Sequence, residues 1–294
     1  MEGRKEMKYH ILFNPTSNRG KAEKMYPKLI EILDREKLDY SIEYTIGGKK
    51  TFEQVEKALD RGADVVVAAG GDGTINEVVN GLKGRGILGI IPLGRGNDIA
   101  ISYGIPRNIE KSVKLLKSQN IREVDIGVLD GRYFVGIAGT GFVGDVNYNS
   151  NKLNLTGFKG YIISVFTTLK SFKYPECEIL FDSVTWKGRV TLVALGNTMY
   201  YGGGMKLLPN SKMDDGFFDI AIAQKIHPVE LIATFPLVYI GKHTINPHVK
   251  FYRSREVTIK SESELIISFD GELITRNEVT FKTMHKFQKI IGGM

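Results

Sequence analysis

Residues 65 to 82 read VVVAAGGDGTINEVVNGL, an apolar run that meets two glycines, a lone aspartate, a third glycine and a threonine before taking on helical spacing. Gly70, Gly71 and Gly73 tolerate positive φ and carry no side chain, so main-chain N–H groups can approach an anion closely where a buried strand gives way to a helix start. Such a loop is a phosphate seat. Asp72 would repel phosphate directly, but it becomes useful when Mg2+, usually through water, lies between its carboxylate and the phosphate oxygens. A lone acid in an anion loop therefore points to ATP with its metal. The plain alternative is a tight strand-to-helix turn in which Asp72 and Thr74 serve as capping residues.

Two further stretches argue against the plain alternative. IIPLGRGNDIA, residues 90 to 100, again follows a strand-like run and precedes a short helix. LFNPTSNRG, residues 12 to 20, offers Asn14, Ser17 and Asn18 as side-chain donors, with Gly20 opening a helix. All three stretches sit at strand ends, and open α/β sheets bind ligands outside the carboxyl ends of their strands. The common fingerprints do not occur: there is no G-x-x-x-x-G-K-[ST], and NPTSNRG stands where a dinucleotide fold would carry G-x-G-x-x-G. That speaks against a P-loop NTPase and against a Rossmann dehydrogenase.

The elements that must hold these loops follow from hydrophobic period. YHILF, YSIEYT, DVVVAAG and ILGIIP read as strands, while 21 to 37, 51 to 61, 74 to 83 and 108 to 118 carry apolar residues at helical spacing, as Ile75, Val78, Val79 and Leu82 do. Alternating β and α over the first 120 residues predicts a parallel sheet covered by helices. From Ile121 the rhythm becomes antiparallel. Asp130-Gly131 and Lys187-Gly188 stand between strand-like runs as hairpin turns, and FFDIAIAQ, VKFYRSREVTIK and ELIISFDGEL continue the pattern. In between, a helix is expected over 160 to 171 with Tyr161, Val165, Thr168 and Leu169 on one face and Phe158, Phe166 and Phe172 nearby. No internal repeat or long linker separates the two parts, so they are expected to pack closely with a cleft between them.

The chain has 294 residues, 42% hydrophobic and 25% charged, enough for two cores. Its net charge of +7 suits nucleotide phosphates, nucleic acid or an anionic membrane. No basic arm, recognition helix or RNP-type run accompanies that charge, so nucleic acid is not an expected partner. Cys177 is the single cysteine, which excludes an internal disulfide framework and suits a reducing compartment. His10, His227, His243, His248 and His285 lack metal-ligand spacing and read as surface or helix-end residues. The charged start lacks the apolar stretch of a signal peptide, and the longest apolar run, 231 to 240, falls short of the ~20 residues that span a bilayer. The expectation is a cytoplasmic protein, peripheral to the inner face of the membrane. A homodimer is compatible with the sequence and not required by it.

In order along the chain, NPTSNRG, GGDGTINEVVNGL, PLGRGNDIA, GIAGTGFVGDV, NTMYYGGGMKLLPNSKMDDGFFDI and FDGEL make the sequence resemble the diacylglycerol kinase catalytic-domain family, lipid kinases that include bacterial diacylglycerol kinases and sphingosine and ceramide kinases. The motifs cover nearly the whole chain, and the extended glycine run with Asn76 and Glu77 is highly specific. The resemblance implies an N-terminal α/β domain over 1–122, related to those of NAD kinases and phosphofructokinases. It implies a mainly antiparallel C-terminal β-sandwich over 123–276, ATP in the cleft, and a return of 277–294 to the first domain. Asn14, Thr45, Gly71, Asp72, Gly73, Thr74 and Asn76 would then contact ATP or its Mg2+, alongside Gly70, with Asn97 and Asp98 bracing the site. Asp215 would hold a structural Mg2+ with the backbone carbonyls of Lys212 and Phe217. Glu272 would accept the proton of the substrate hydroxyl as it attacks the γ-phosphoryl group, with Asp270 as helper or alternative base and Asp72 as the third catalytic acid. The implied reaction turns diacylglycerol, met at the membrane surface, into phosphatidic acid.

Two rivals keep their place: a kinase of a soluble hydroxyl such as that of NAD, and a lipid- or nucleotide-binding protein without turnover. The DGE ending and the YYGGGM loop, expected at the cleft mouth, favour the lipid branch. The basic and aromatic stretch 152–173 reads either as a membrane contact or as an ordinary core-facing helix with solvated lysines. Arg95 departs from the family pattern Pro-Leu-Gly-Thr-Gly-Asn-Asp, standing where that pattern has threonine. Its guanidinium either clamps a phosphate bidentately or points to solvent. The clamp predicts that Arg95→Ala raises the KM for ATP well above wild type; steady-state kinetics with an unchanged KM would remove it.

Overall fold

The computed structural model describes residues 6–152, 157–182 and 184–293. The chain divides into two compact units, Met1–Val124 with Lys286–Met294, and Asp125–His285.

In the first unit, strands β1 (Lys8–Phe13), β2 (Asp39–Tyr44), β3 (Val65–Gly70) and β4 (Ile87–Pro92) alternate with helices α1 (Tyr26–Glu36), α2 (Lys49–Asp60) and α3 (Asp72–Leu82), followed by α4 (Asp98–Ser102) and α5 (Ile109–Ser118). The strands pair in parallel in the order β2-β1-β3-β4, and Lys289 and Ile290 of the chain's last strand add a further parallel pairing on β4. β3 is buried along its whole length, as a strand covered on both faces must be, which is why VVVAAG lacks polar alternation. Leu29, Ile32 and Leu33 of α1 and Val113 and Leu116 of α5 share one core with the strands. α2 and α3 lie so close that a Cβ on Gly81 would come within 2.6 Å of the Val55 side chain. The helices end where chemistry says they should: Pro27 stands in the first turn of α1, Asn108 Oδ1 caps α5 by accepting from Lys111 N at 3.0 Å, and Lys37 takes the left-handed conformation that closes α1. Gly20 does not open a helix. Asn18, Arg19 and Gly20 are all left-handed, so the right-handed helix starts later, after a 3-10 turn at Glu23–Met25.

The second unit is antiparallel. β5 (Ile121–Leu129) turns through Asp130-Gly131, both at positive φ as the primed hairpin turn requires, into β6 (Arg132–Phe134). β7 (Ile137–Gly141) leads to helices α6 (Phe142–Lys152) and α7 (Gly157–Ser171), then β8 (Glu176–Phe181) and the long β9 (Val184–Gly196). The short pair β10 (Tyr200–Tyr201) and β11 (Met205–Lys206) encloses Gly202, Gly203 and Gly204, all at positive φ. After it come β12 (Phe218–Gln224), α8 (Pro228–Tyr239), β13 (Val249–Ser254), β14 (Glu256–Phe269) and β15 (Glu272–Ile291). β9 and β14 each pair with β8 along one part and with β7 along another, β14 shifting register between Lys260 and Leu265, so the two long strands pass from one layer to the other. Phe134 lies at the centre of the enclosed core, with the rings of Phe218, Phe269 and Phe281 within 6.4 Å of it.

Lys187-Gly188 is not a turn. It lies inside β9, where Cys177 pairs with Gly188, and the chain reverses after Asp182 instead. Burying Cys177, Ile179 and Phe181 on one face sets that register, and turn propensity yields to it. α7 covers the expected helix, with Val165 and Thr168 buried and Leu169 partly so, while the side chains of Tyr161 and Phe158 lie outside the described residues. No helix among the described residues is long and apolar enough to cross a membrane.

Candidate active site

The parallel register sets Phe13 beside Ala69 and Ala69 beside Ile91, so the loops after β1, β3 and β4 leave the sheet in one row. Asn14 ties that row together. Its N–H donates to Ala69 O at 2.9 Å, its Nδ2 to Thr74 Oγ1 at 2.9 Å, and its Oδ1 accepts from both N and Oγ1 of Thr16. Thr45, after β2, joins the row through its N–H to Phe13 O.

None of Gly70, Gly71 and Gly73 uses a positive φ; what they supply is room. A Cβ on Gly70 would fall 2.3 Å from Thr74 Oγ1, and one on Gly94 would fall 2.6 Å from Gly71 Cα, so the two glycine loops meet backbone to backbone. Around Gly73 a Cβ would meet nothing within 4 Å. Gly71, the N-cap of α3, has no side chain to cap the helix start.

The second glycine loop is braced from within. Asn97, left-handed at φ 55°, accepts from Gly94 N at 2.9 Å and donates to Gly94 O at 3.0 Å. Asp72 reaches across to accept from Ile99 N at 3.0 Å, and Arg107 donates to Gly96 O. Asp98 is buried in the first turn of α4, while Arg95 is exposed. Asn76 is turned inward, 4% exposed, with its Oδ1 accepting from Asn80 Nδ2.

In the second unit, Asp270 and Gly271 form the turn between β14 and β15, at φ 46° and 89°. Both oxygens of Asp270 accept from main-chain amides, Oδ2 from Val135 N at 2.6 Å and Oδ1 from Gly136 N at 2.9 Å. That makes Asp270 a clamp on the β6–β7 connection. Glu272, next in the hairpin, is 40% exposed and pairs with Arg132. An exposed ion pair adds at most about 1 kcal/mol, so Arg132 matters here for where it aims the carboxylate.

Asp215 accepts from Phe217 N at 3.1 Å and pairs with Arg253, whose guanidinium lies over the Phe217 ring. Asp219 also faces Arg253, and burial, opposed by that guanidinium, raises its pKa. Asp219 Oδ2 is buried without a partner, and so are both side-chain heteroatoms of Asn197, which follows its register partner Gly196. Asp219 Oδ2 and Asn197 Oδ1 are oxygen donors of the kind a hard cation takes. Among the described residues no three His, Cys, Asp or Glu side chains gather as a metal cluster.

Residues 8–129 match the family described as "Diacylglycerol kinase catalytic domain", and 136–291 match "YegS C-terminal NAD kinase beta sandwich-like domain". The "Diacylglycerol kinase" of Bacillus subtilis (strain 168) is 34% identical over 269 residues, covering 89% of this chain and 88% of that one. The namesake in Staphylococcus haemolyticus is 33% identical over 267 residues, covering 89% and 81%. The chain belongs to this family. It is an enzyme, a kinase, with the expected α/β and β-sandwich domains. A crystal structure of a putative diacylglycerol kinase from Bacillus anthracis str. Sterne superposes with a TM-score of 0.82 at 25% identity, covering 99% of the kinase and 97% of that chain. An NAD kinase from Archaeoglobus fulgidus, solved in complex with ATP, shares the fold at a TM-score of 0.54 and 16% identity over 97% and 93%.

Two acids of the kinase, Asp125 and Asp145, have no role in the sequence reading, and two histidines, His10 and His243, sit elsewhere than it expects. Asp125 is fully buried, accepts from Gly216 N at 2.6 Å, pairs with His285 and so pins the loop that carries Asp215. Its signal was an acid set among apolar residues in VDIGVL. His10 and His243 are buried, not superficial, and burial lowers the pKa of each. Asp145, in the first turn of α6, lines a cavity of about 400 Å³ with Lys173, Tyr174, Arg189 and Glu264, and burial pushes its carboxyl up to about 6.

Gly94→Ala, forcing a methyl against Gly71, is expected to lower both the thermal midpoint and nucleotide affinity. Gly73→Ala, which enters open space, is expected to leave the midpoint unchanged and weaken nucleotide binding alone; calorimetry on the pair checks this. Asp145 has a second readout. Its folded pKa lies above the ordinary 3.8, so the folded protein holds the proton more tightly and loses stability as pH climbs from 3.8 to about 6. Asp145→Asn should therefore match wild type in midpoint near pH 4 and exceed it above pH 6.

Proposed function

We propose that this kinase transfers the γ-phosphoryl group of ATP, with Mg2+, to the hydroxyl of a membrane lipid, with diacylglycerol as acceptor and phosphatidic acid as product. What supports the reading is the division of labour at the β14–β15 turn of a diacylglycerol kinase family member: Asp270 is spent on main-chain amides while Glu272 stands exposed. In the first unit by itself, a helix start without a side-chain cap and with little side chain around it supports phosphate binding.

The start of α3 meets the phosphates of ATP with its positive dipole end, with Asn14 and Thr74 fixing the loop around them. Glu272, aimed by Arg132, takes the proton of the lipid hydroxyl. The freed oxygen pair forms the bond to the γ-phosphorus, the bond from that phosphorus to the bridging oxygen breaks, and ADP leaves with its electrons. Bound Mg2+ would neutralise charge gathering on the phosphate oxygens. Asp72 is the carboxylate to hold it there, and Asp215, with Asp219 and the Lys212 and Phe217 carbonyls, suits a structural ion. The acceptor's home in a bilayer puts the enzyme at the cytoplasmic membrane face, and the lysines of 152–173 with the half-exposed Phe166 support contact there.

Asp72→Asn keeps an acceptor for Ile99 N while removing the charge, and Glu272→Gln keeps the shape of the acid. Each is expected to cut transfer of labelled γ-phosphate by about a hundredfold or more across a panel of lipids, with thermal midpoints near wild type. A variant that stays active refutes its residue's role, and transfer to NAD but to no lipid refutes the acceptor.

A further inference from the structure

The β-sandwich unit carries an apolar surface that its own fold leaves uncovered. In α8, Val229, Ile232, Ala233 and Pro236, with Ile240 just beyond, fall on one stripe of the helix, and every one of them is exposed, Val229 at 68% and Ile240 at 58%. The opposite stripe is already committed: Leu231 and Phe235 pack in one cluster with Phe142 and Val165, and Val238 packs with Leu207. A helix apolar on all sides belongs in a core or against an apolar phase. Glu230, the one acid of α8, is drawn off to the side, where its Oε1 accepts from Asn246 Nδ2 at 3.0 Å and lies 3.9 Å from His248 Nε2. Asn246 Nδ2 also donates to Thr234 Oγ1, which ties the following turn, Lys242–Ile245, back to the helix. Ile245, 73% exposed, extends the stripe.

The charges around the stripe select its occupant. Residues 146 to 175 contain Lys152, Lys159, Lys170 and Lys173 and no acid, and Lys225, Lys242 and Lys250 flank α8. Lys170 and Lys173 are exposed at the end of α7, which packs on α8 through Val165, and a positive surface there repels a second copy brought face to face. It matches an anionic lipid surface, into whose headgroup–acyl boundary apolar side chains sink while lysines meet the phosphates.

We propose that α8 and the turn after it dock this protein on an anionic bilayer, the helix lying in the plane of the interface; the purpose, though not the surface, rests on the lipid-kinase reading above. Ile232→Glu with Ile240→Glu, and separately Ile245→Glu, set acids in the stripe. Val184→Glu, at an exposed apolar site on β9, is the control. In co-sedimentation with phosphatidylglycerol–phosphatidylcholine vesicles, the stripe variants lose binding about tenfold or more, while wild type and control keep it. Transfer to a water-dispersed short-chain diacylglycerol stays near wild type in all of them. Folded stripe variants that bind vesicles as wild type does overturn the proposal, and so does a wild-type dimer that the variants split without loss of vesicle binding. Should the variants fail to fold, hydrogen exchange on wild type decides: α8 amides slowed by the vesicles support docking, and unchanged exchange overturns it. Selective loss of vesicle binding in proteins that phosphorylate no lipid keeps the docking and sinks the lipid-kinase reading.

Discussion

At Gly71 and Gly94 two loops touch with nothing between them but main chain, and the candidate site of the first unit depends on that contact. It brings Leu93 N and Gly94 N onto Gly70 O, folds Asn97 back on Gly94 and lets Asp72 cross to the start of α4. Glycine costs entropy when it is fixed, and this fold sets that cost against a strand, β3, buried from end to end. The result is a helix start held by its neighbours from behind and bare in front.

The second unit follows a complementary rule. Asp125 and Asp270 each accept main-chain amides at 2.6 Å, and Asp215 accepts another at 3.1 Å, so each of these carboxylates positions a loop. Glu272 has no such amide partner in the hairpin beside it and faces outward with Arg132. The two acids of the FDGE turn thus differ in their partners, main-chain amides for Asp270 and a guanidinium for Glu272, although they stand two residues apart.

Much of this was legible in the sequence, because β3 and β4 are continuous apolar runs, β1 ends in one, and α1, α2 and α3 keep a helical period. The glycine loops were legible in place but not in reason: the sequence marks where side chains are absent, and only the fold shows that crowding, not φ, excludes them at Gly70 and Gly94, while Gly73 stands in open space. Lys187-Gly188 misled because a local turn preference lost to a register set by distant pairing. α8 stayed hidden since a helix apolar all round has no period to detect, and Pro236 inside it reads as a breaker. The partners of Asp125 and Asp219 come from far along the chain, so composition could not announce them.

The first unit is finished by the last few residues of the chain. Lys289 and Ile290 pair with β4, and Ile291 enters the core of the first unit, after the intervening β-sandwich unit has been spelled out in full. On a ribosome that order has a cost: the leading segment leaves the exit tunnel with one sheet margin still awaiting its final strand, and holds a sticky edge throughout synthesis of the insert. Gene fragments cut at the apparent boundary near Val124 would inherit the same unfinished margin for good.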